Sequence, residues 1–285
     1  HAEFFAPTIP RVYGVRDVEQ PADMRMTLRG NPRALGNAVP RGVLQVASAV
    51  LSDIPETESG RRQLADWLAS PDNPLTARVI VNRIWRHHFG RGIVKTPSDF
   101  GKLSGGATHP ELLDWLARRF VDSGWSLKAM HRIIVTSSTY RQSSLVKNQT
   151  VTTVDPMNDL WWRYEQRRLD AEAIRDSMLA TSGAIDRRMH GPGFKVFEIV
   201  MENVRHYFPK KHYTVNEWRR MVYMTKIRQE QDEVFGAFDC PDGNQVIARR
   251  SRSTTPLQAL ANPSGKNIRH LRFPRGPPPQ YCAGP

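Results

Sequence analysis

The sequence predicts a mainly α-helical single domain with a small N-terminal extended ribbon. Two observations carry that prediction. Apolar residues recur at helical spacing in several separate runs between about residues 59 and 262, each bounded by recognisable start and stop residues. Ahead of them, Met24, Met26 and Leu28 alternate with Arg25, Thr27 and Arg29, the two-residue period of a half-buried strand. Residues 1–50 are therefore read as an extended segment and ribbon, 51–262 as the helical domain, and 263–285 as a tail.

After the strand-like run, Arg29-Gly-Asn-Pro32 turns the chain, and Gly36, Pro40 and Gly42 keep it in loops. Leu64, Trp67 and Leu68 form the first apolar helical stripe, ended by Ser70-Pro71. The next helix is the clearest in the chain: Pro74 suits a first helical position, where an N–H is unsatisfied anyway, and Gly90 suits a left-handed stop. A glycine-rich loop spans 90–106. Thr108-His-Pro-Glu111 then reads as a capping box, with Leu112, Leu113, Leu116, Ala117 and Phe120 as the buried face of the helix that follows. Ser126 caps another, with Leu127, Met130, Ile133 and Ile134 inward.

Residues 141–158 are polar and read as loop. A helical pattern starts near Asp159 and re-forms over 169–183, with Leu169, Ala173, Met178 and Leu179 as its apolar contacts. His190-Gly-Pro-Gly193 is a turn, and 194–215 mixes aromatic and basic residues without a period. Asn216 is placed as the cap of a helix through Trp218, Met221, Val222 and Met224. Thr255 caps a last helix that Pro256 opens. Past Asn262 the chain is proline-rich, basic and free of acidic residues. It has no face to bury, and reads either as an out-of-frame or truncated end or as a disordered tail.

The 285 residues are 39% hydrophobic and 24% charged, ordinary for a globular chain, and no run of about 18 apolar residues marks a membrane span. The chain opens His-Ala-Glu-Phe-Phe without a basic-then-apolar leader and reads as the interior of a longer protein. Its two cysteines, Cys240 and Cys282, are too few for a disulfide framework and lack zinc spacing. No Cys-x-x-Cys-His occurs, so the chain attaches no c-type haem itself. The formal charge is +13, of which the tail contributes Lys266, Arg269, Arg272 and Arg275. The basic body that remains suits an anionic polymer, an anionic membrane surface or nucleic acid, against the simpler reading of scattered solvated arginines. The common DNA- and RNA-reading signatures are missing, as are a phosphate-binding loop and a Gly-x-Ser-x-Gly elbow.

Candidate site residues fall in two groups. Arg78, Asn82 and Arg83, with Trp85, are read as a polar binding face on the helix after Pro74. Asn82 and Arg83 would fix neighbouring loops, with carboxylates such as Asp99 or Glu172 as partners. His109 is read as making a local hydrogen bond at the start of its helix. Glu172 and Asp176 are i, i+4 on one helix face, the spacing of an acid–base pair, although Arg168 and Arg175 nearby favour ion pairing. His87 and His88, being adjacent, point to different sides of a helix and do not share a metal. Cys240 is read as a buried thiol, a nucleophile only if a base lies beside it in space.

Nine motifs together resemble one family. They are Asn73-Pro-Leu-Thr-Ala-Arg-Val79, Val81-Asn-Arg-Ile-Trp85, His88-Phe-Gly-Arg-Gly-Ile-Val94, Thr96-Pro-Ser-Asp-Phe-Gly101, Thr108-His-Pro-Glu-Leu-Leu-Asp-Trp-Leu-Ala117, Gly124-Trp-Ser-Leu-Lys128, Ser138-Thr-Tyr-Arg-Gln-Ser-Ser144, Arg168-Leu-Asp-Ala-Glu-Ala-Ile-Arg-Asp176 and Thr254-Thr-Pro-Leu-Gln-Ala-Leu260. In order and spacing, over roughly residues 20–262, the chain resembles domain-of-unknown-function family 1553.

The resemblance implies the C-terminal part of a large exported protein of planctomycete-type bacteria, in which a cytochrome c domain often lies upstream. Haem would belong to that upstream domain, so no cofactor is expected in this chain, and an extracytoplasmic location follows from the resemblance alone. It implies no reaction. The functional expectation is a non-catalytic structural or binding module, whose partners are other domains of the parent protein and an anionic polymer or polysaccharide. An enzyme domain using the carboxylates of the 169–183 helix, and a basic nucleic-acid binder, are the alternatives.

Overall fold

A computed structural model describes residues 14–44, 54–146, 148–210, 213–228, 236–241 and 243–261. The tail after Asn262, Cys282 included, lies outside the described residues. Where the sequence predicts one domain, the chain divides into two compact units, His1–Glu165 and Gln166–Pro285. Among the described residues helix makes up 36% and strand 11%, so the fold is helix-rich but mixed, and the mainly α expectation holds only loosely.

In the first unit, β1 (Met24–Thr27) and β2 (Leu35–Val39) pair antiparallel, with Met24 opposite Val39 and Thr27 opposite Leu35. The turn between them runs through Arg29 and Gly30, both at positive φ. The ribbon is present as predicted, but not half-buried: Met24, Met26 and Leu35 are all exposed. Arg41 ties its base to Asp23, and Asp17 takes Ser59 and Arg61 at the entry to the first helix.

Helix α1 (Arg61–Ala69) buries Gln63, which donates to Glu58 at 2.7 Å. That rotation leaves Leu64 and Leu68 each 44% exposed, so the expected stripe does not face inward. Helix α2 (Thr76–Phe89) begins two residues later than Pro74 suggests. The Asn73 side-chain Oδ1 accepts from the N–H groups of Leu75 and Thr76, satisfying first-turn donors. It stops at Gly90, at φ 82°.

Helices α3 (Pro110–Asp122) and α4 (Leu127–Thr136) follow. α2, α3 and α4 pack on one another around a common core: Val81, Ile84, Trp85 and Phe89 meet Leu113, Leu116, Phe120, Met130 and Ile134. Leu127, predicted to face inward, is exposed, as is Leu169 in the second unit. The Thr108–Glu111 capping box does not form. Thr108 donates its hydroxyl to Ile93 instead, and Pro110 opens the helix. Ser126 does cap α4, accepting from Ala129 at 3.2 Å. Residues 141–158 are not all loop, because Asn148 caps a short α5 (Gln149–Val154).

In the second unit, α6 (Ala171–Thr181) is the main helix, and no helix forms at Asp159. Strands β3 (Phe197–Met201) and β4 (Arg205–Pro209) make an antiparallel hairpin in the stretch that has no sequence period. The helix placed after Asn216 is instead two short 3-10 turns, Val215–Trp218 and Met221–Tyr223. The first is closed by a capping box between Thr214 and Glu217. Helix α7 (Pro256–Ala261) is capped by Thr255. Two small clusters, Ala171, Met221, Phe238 and Cys240, and Phe194, Val196 and Phe197, form the apolar interior.

Candidate functional site

At about 100° per residue, positions 78, 82, 85 and 89 share one face of α2, and Arg83 stands off it. The structure turns that face inward. Asn82 is completely buried and clamps one residue of the following loop with both ends of its amide: Nδ2 donates to the Val94 carbonyl at 3.0 Å, and Oδ1 accepts from the Val94 N–H at 2.9 Å. Gly92 is required beside it, since a Cβ there would stand 2.5 Å from the Val94 oxygen and 2.7 Å from Asn82 Oδ1. Asn82 therefore fixes a loop as expected, but through backbone and not through a carboxylate. Asp99, the suggested partner, accepts from the Gly101 N–H instead.

Trp85 does not belong to a binding face. It is 5% exposed, stacks on Phe89 at 4.3 Å and meets Trp161 edge-on at 5.6 Å. Arg78 sits at the rim of this core, where Nε donates to Asp114 on α3 at 2.6 Å and Nη1 to the Pro74 carbonyl. Its guanidinium is the main cause of the Asp114 carboxyl lying below its ordinary value. Arg83 is exposed and among the described residues bonds no loop. His109 makes the local bond expected of it, Nδ1 to the Thr108 hydroxyl at 3.0 Å, from the residue just before α3 rather than inside its first turn. His88 reaches His131 of α4 at 2.7 Å, a pairing without a sequence signal.

Glu172 and Asp176 share a face of α6 but have separate partners. Arg250 grips Glu172 with two parallel bonds of 2.6 and 2.7 Å. Burial is the largest single influence and pushes the Glu172 carboxyl up, yet the Arg250 bonds, a backbone bond and the Arg250 and Lys226 charges together turn the net direction down. Asp176 accepts from the Met221 N–H at 2.8 Å and lies 3.5 Å from Arg175. The ion pairing expected from Arg168 goes elsewhere, to Asp239 at 2.6 Å. Ser253 is the other partner of Asp239: its N–H, then the Arg168 guanidinium, lower that carboxyl to about 2.

Beside Glu172 lies the buried thiol of Cys240, 3.8 Å from Oε1 and 3.4 Å from the Lys226 ammonium. Burial, then the Glu172 charge, pushes this thiol up, so it stays protonated and poorly nucleophilic. Sequence spacing pointed to neither Lys226 nor Arg250, because they lie 54 and 78 residues beyond Glu172.

Two further arginines of the second unit hold backbone. Arg175 donates to the Glu217 and Arg219 carbonyls. Arg219, 4% exposed, donates to those of Pro192, Arg188 and His190 and lies over the Tyr223 ring at 3.9 Å.

A cleft of about 420 Å³ opens in the first unit between α5 and the segment 161–163. The segment is rigidly built. Asn158 is 1% exposed and closes a ring onto the Arg163 backbone, donating to its carbonyl and accepting from its N–H. Arg91 donates to the carbonyls of Met157 and Asn158 and covers Trp161. Asp155 accepts from the N–H groups of Asp159 and Leu160, and its carbonyl accepts from the Trp162 indole at 3.0 Å. These bonds keep Asn158 and Trp161 at positive φ and aim Trp162 and Arg163 at the cleft.

A family model described as PSD1, protein of unknown function (DUF1553), matches residues 60–266. The chain belongs to this family. No curated protein and no solved structure matches it. The match covers the α2–α4 core with its Asn82 clamp, the cleft, and the Glu172–Arg250 pair alike. Among the described residues of this family member, no group of three or more His, Cys, Asp or Glu side chains is placed to hold a metal ion, and no helix is long and apolar enough to cross a membrane.

Proposed function

We propose that the chain is a non-catalytic structural or binding module, the C-terminal part of a larger exported, cytochrome-bearing protein. Its partners are other domains of that parent and an anionic polymer or polysaccharide, with nucleic acid ranking below them. The observation that carries this reading is the engagement of the carboxylates that an enzyme would need. Glu172 is locked to Arg250 and Asp176 to the Met221 N–H, while Cys240 is kept as a neutral thiol. The guanidinium forks of Arg91, Arg168, Arg175 and Arg219 act in the same sense, spending their donors on carbonyls that set loop shape.

Gel filtration of the 285-residue chain mixed with the segment encoded upstream of His1 tests the docking role. Co-elution at moderate salt is the expected result. Separate elution, together with no retention on an immobilised acidic polysaccharide, overturns the reading. Sequencing upstream of His1 tests the cytochrome context: a Cys-x-x-Cys-His motif supports it, and an initiator methionine close by ends it.

A further inference from the structure

We infer that the cleft walled by Trp162 and Arg163 takes one acidic sugar ring, a uronate or sulfated pyranose, of a polysaccharide; this rests on the polymer-partner reading above. Its volume of about 420 Å³ falls in the lower part of the range for small-ligand sites. The Trp162 N–H is already used on Asp155, so the half-buried indole offers a ligand a flat apolar face, the surface against which the C–H side of a pyranose lies.

The Arg163 guanidinium stands over that indole at 5.2 Å, and among the described residues it has no carboxylate partner. Among the described residues no carboxylate lines the cleft, so the wall favours an anion. Across from it, Asn148 uses its oxygen to cap α5 and keeps its NH2 for a ligand, and the exposed Gln149 adds a second amide; hydroxyl groups suit both. An apolar plane, one cation and two amides match a single ring bearing hydroxyls and one negative group. A nucleic-acid strand would call for successive aromatic platforms and a row of cations along its backbone, and among the described residues this cleft has one of each. The Asn158 and Asp155 bonds hold the rim in place, so little ordering remains for a ligand to bring about.

Isothermal titration of the full chain with trigalacturonate, cellotriose and an oligothymidylate tests the assignment. The expected result is one saturable site for trigalacturonate. Arg163→Gln should weaken it roughly tenfold or more, as loss of a charge-assisted bond implies. Gln149→Ala, an exposed change on the opposite wall, should weaken it less, and cellotriose should bind at least about tenfold more weakly than the uronate. Absence of a trigalacturonate site, equal binding by Arg163→Gln, equal binding of cellotriose, or tighter binding of the oligothymidylate overturns the inference. Retention of long polygalacturonate by both wild type and Arg163→Gln would sink the cleft while sparing the polymer partner. Loss of that retention in the wild type would sink the polymer partner as well.

Discussion

The two units of this chain are held together in different ways. In the first, three amphipathic helices bury large side chains, with Leu116, Met130 and Ile134 each no more than 2% exposed. In the second, the apolar clusters are small, and arginine forks reaching carbonyl oxygens define the loops. Burial of hydrocarbon is non-directional and tolerates an approximate pattern. A guanidinium bound to three carbonyls depends on geometry, and a substitute of the same charge does not reproduce it.

The sharpest break should come from the first unit. Leu116→Ala leaves a cavity among α2, α3 and α4 and should cost about 2–5 kcal/mol, read as faster hydrogen exchange across all three helices. In the second unit, Arg219→Ala strands the carbonyls of Arg188, His190 and Pro192 and should cost roughly 2–3 kcal/mol. Arg219→Lys should recover only a small part of that loss, because an ammonium cannot fork. A lysine variant as stable as wild type would mean that charge alone suffices there.

A smaller effect is expected from Asp239, and it depends on pH. Its folded value of about 2 lies below the ordinary 3.8, so folding favours the ionised form. The contribution is whole above about pH 4 and fades as pH falls toward 2. Asp239→Asn should therefore lower the melting temperature at neutral pH, with the gap from wild type closing in acid. A gap that persists at pH 2 would assign the loss to packing. The smallest effect is predicted for Arg83→Ala, within about 0.5 kcal/mol, since the side chain is exposed. Strong destabilisation there would restore the loop-fixing role that the structure gives to Asn82.

The helical runs were legible where the apolar period is strong. Leu113, Leu116, Ala117 and Phe120 lie inward as their spacing requires, Gly90 stops α2, and Ser126 caps α4. The β3–β4 hairpin was not legible: Ile199, Val200, Met201 and Phe208 are all exposed, so neither strand shows an alternation of buried and exposed positions. Among the candidate residues, Arg78, His109 and Asn82 act on neighbours near in sequence or on an adjoining helix. Trp85 was misplaced because period alone does not say which side of a helix faces the core.

The sequence alone determined that helices α2, α3 and α4 form, where they lie to within about two residues, and that they are amphipathic, because caps, glycine stops and a 3.6-residue period act over a few residues. Tertiary structure decided which partner each charge takes. Arg250 for Glu172, Ser253 for Asp239 and the Asn158 hub behind Trp162 and Arg163 arise when segments meet in space, and no local rule sets those meetings.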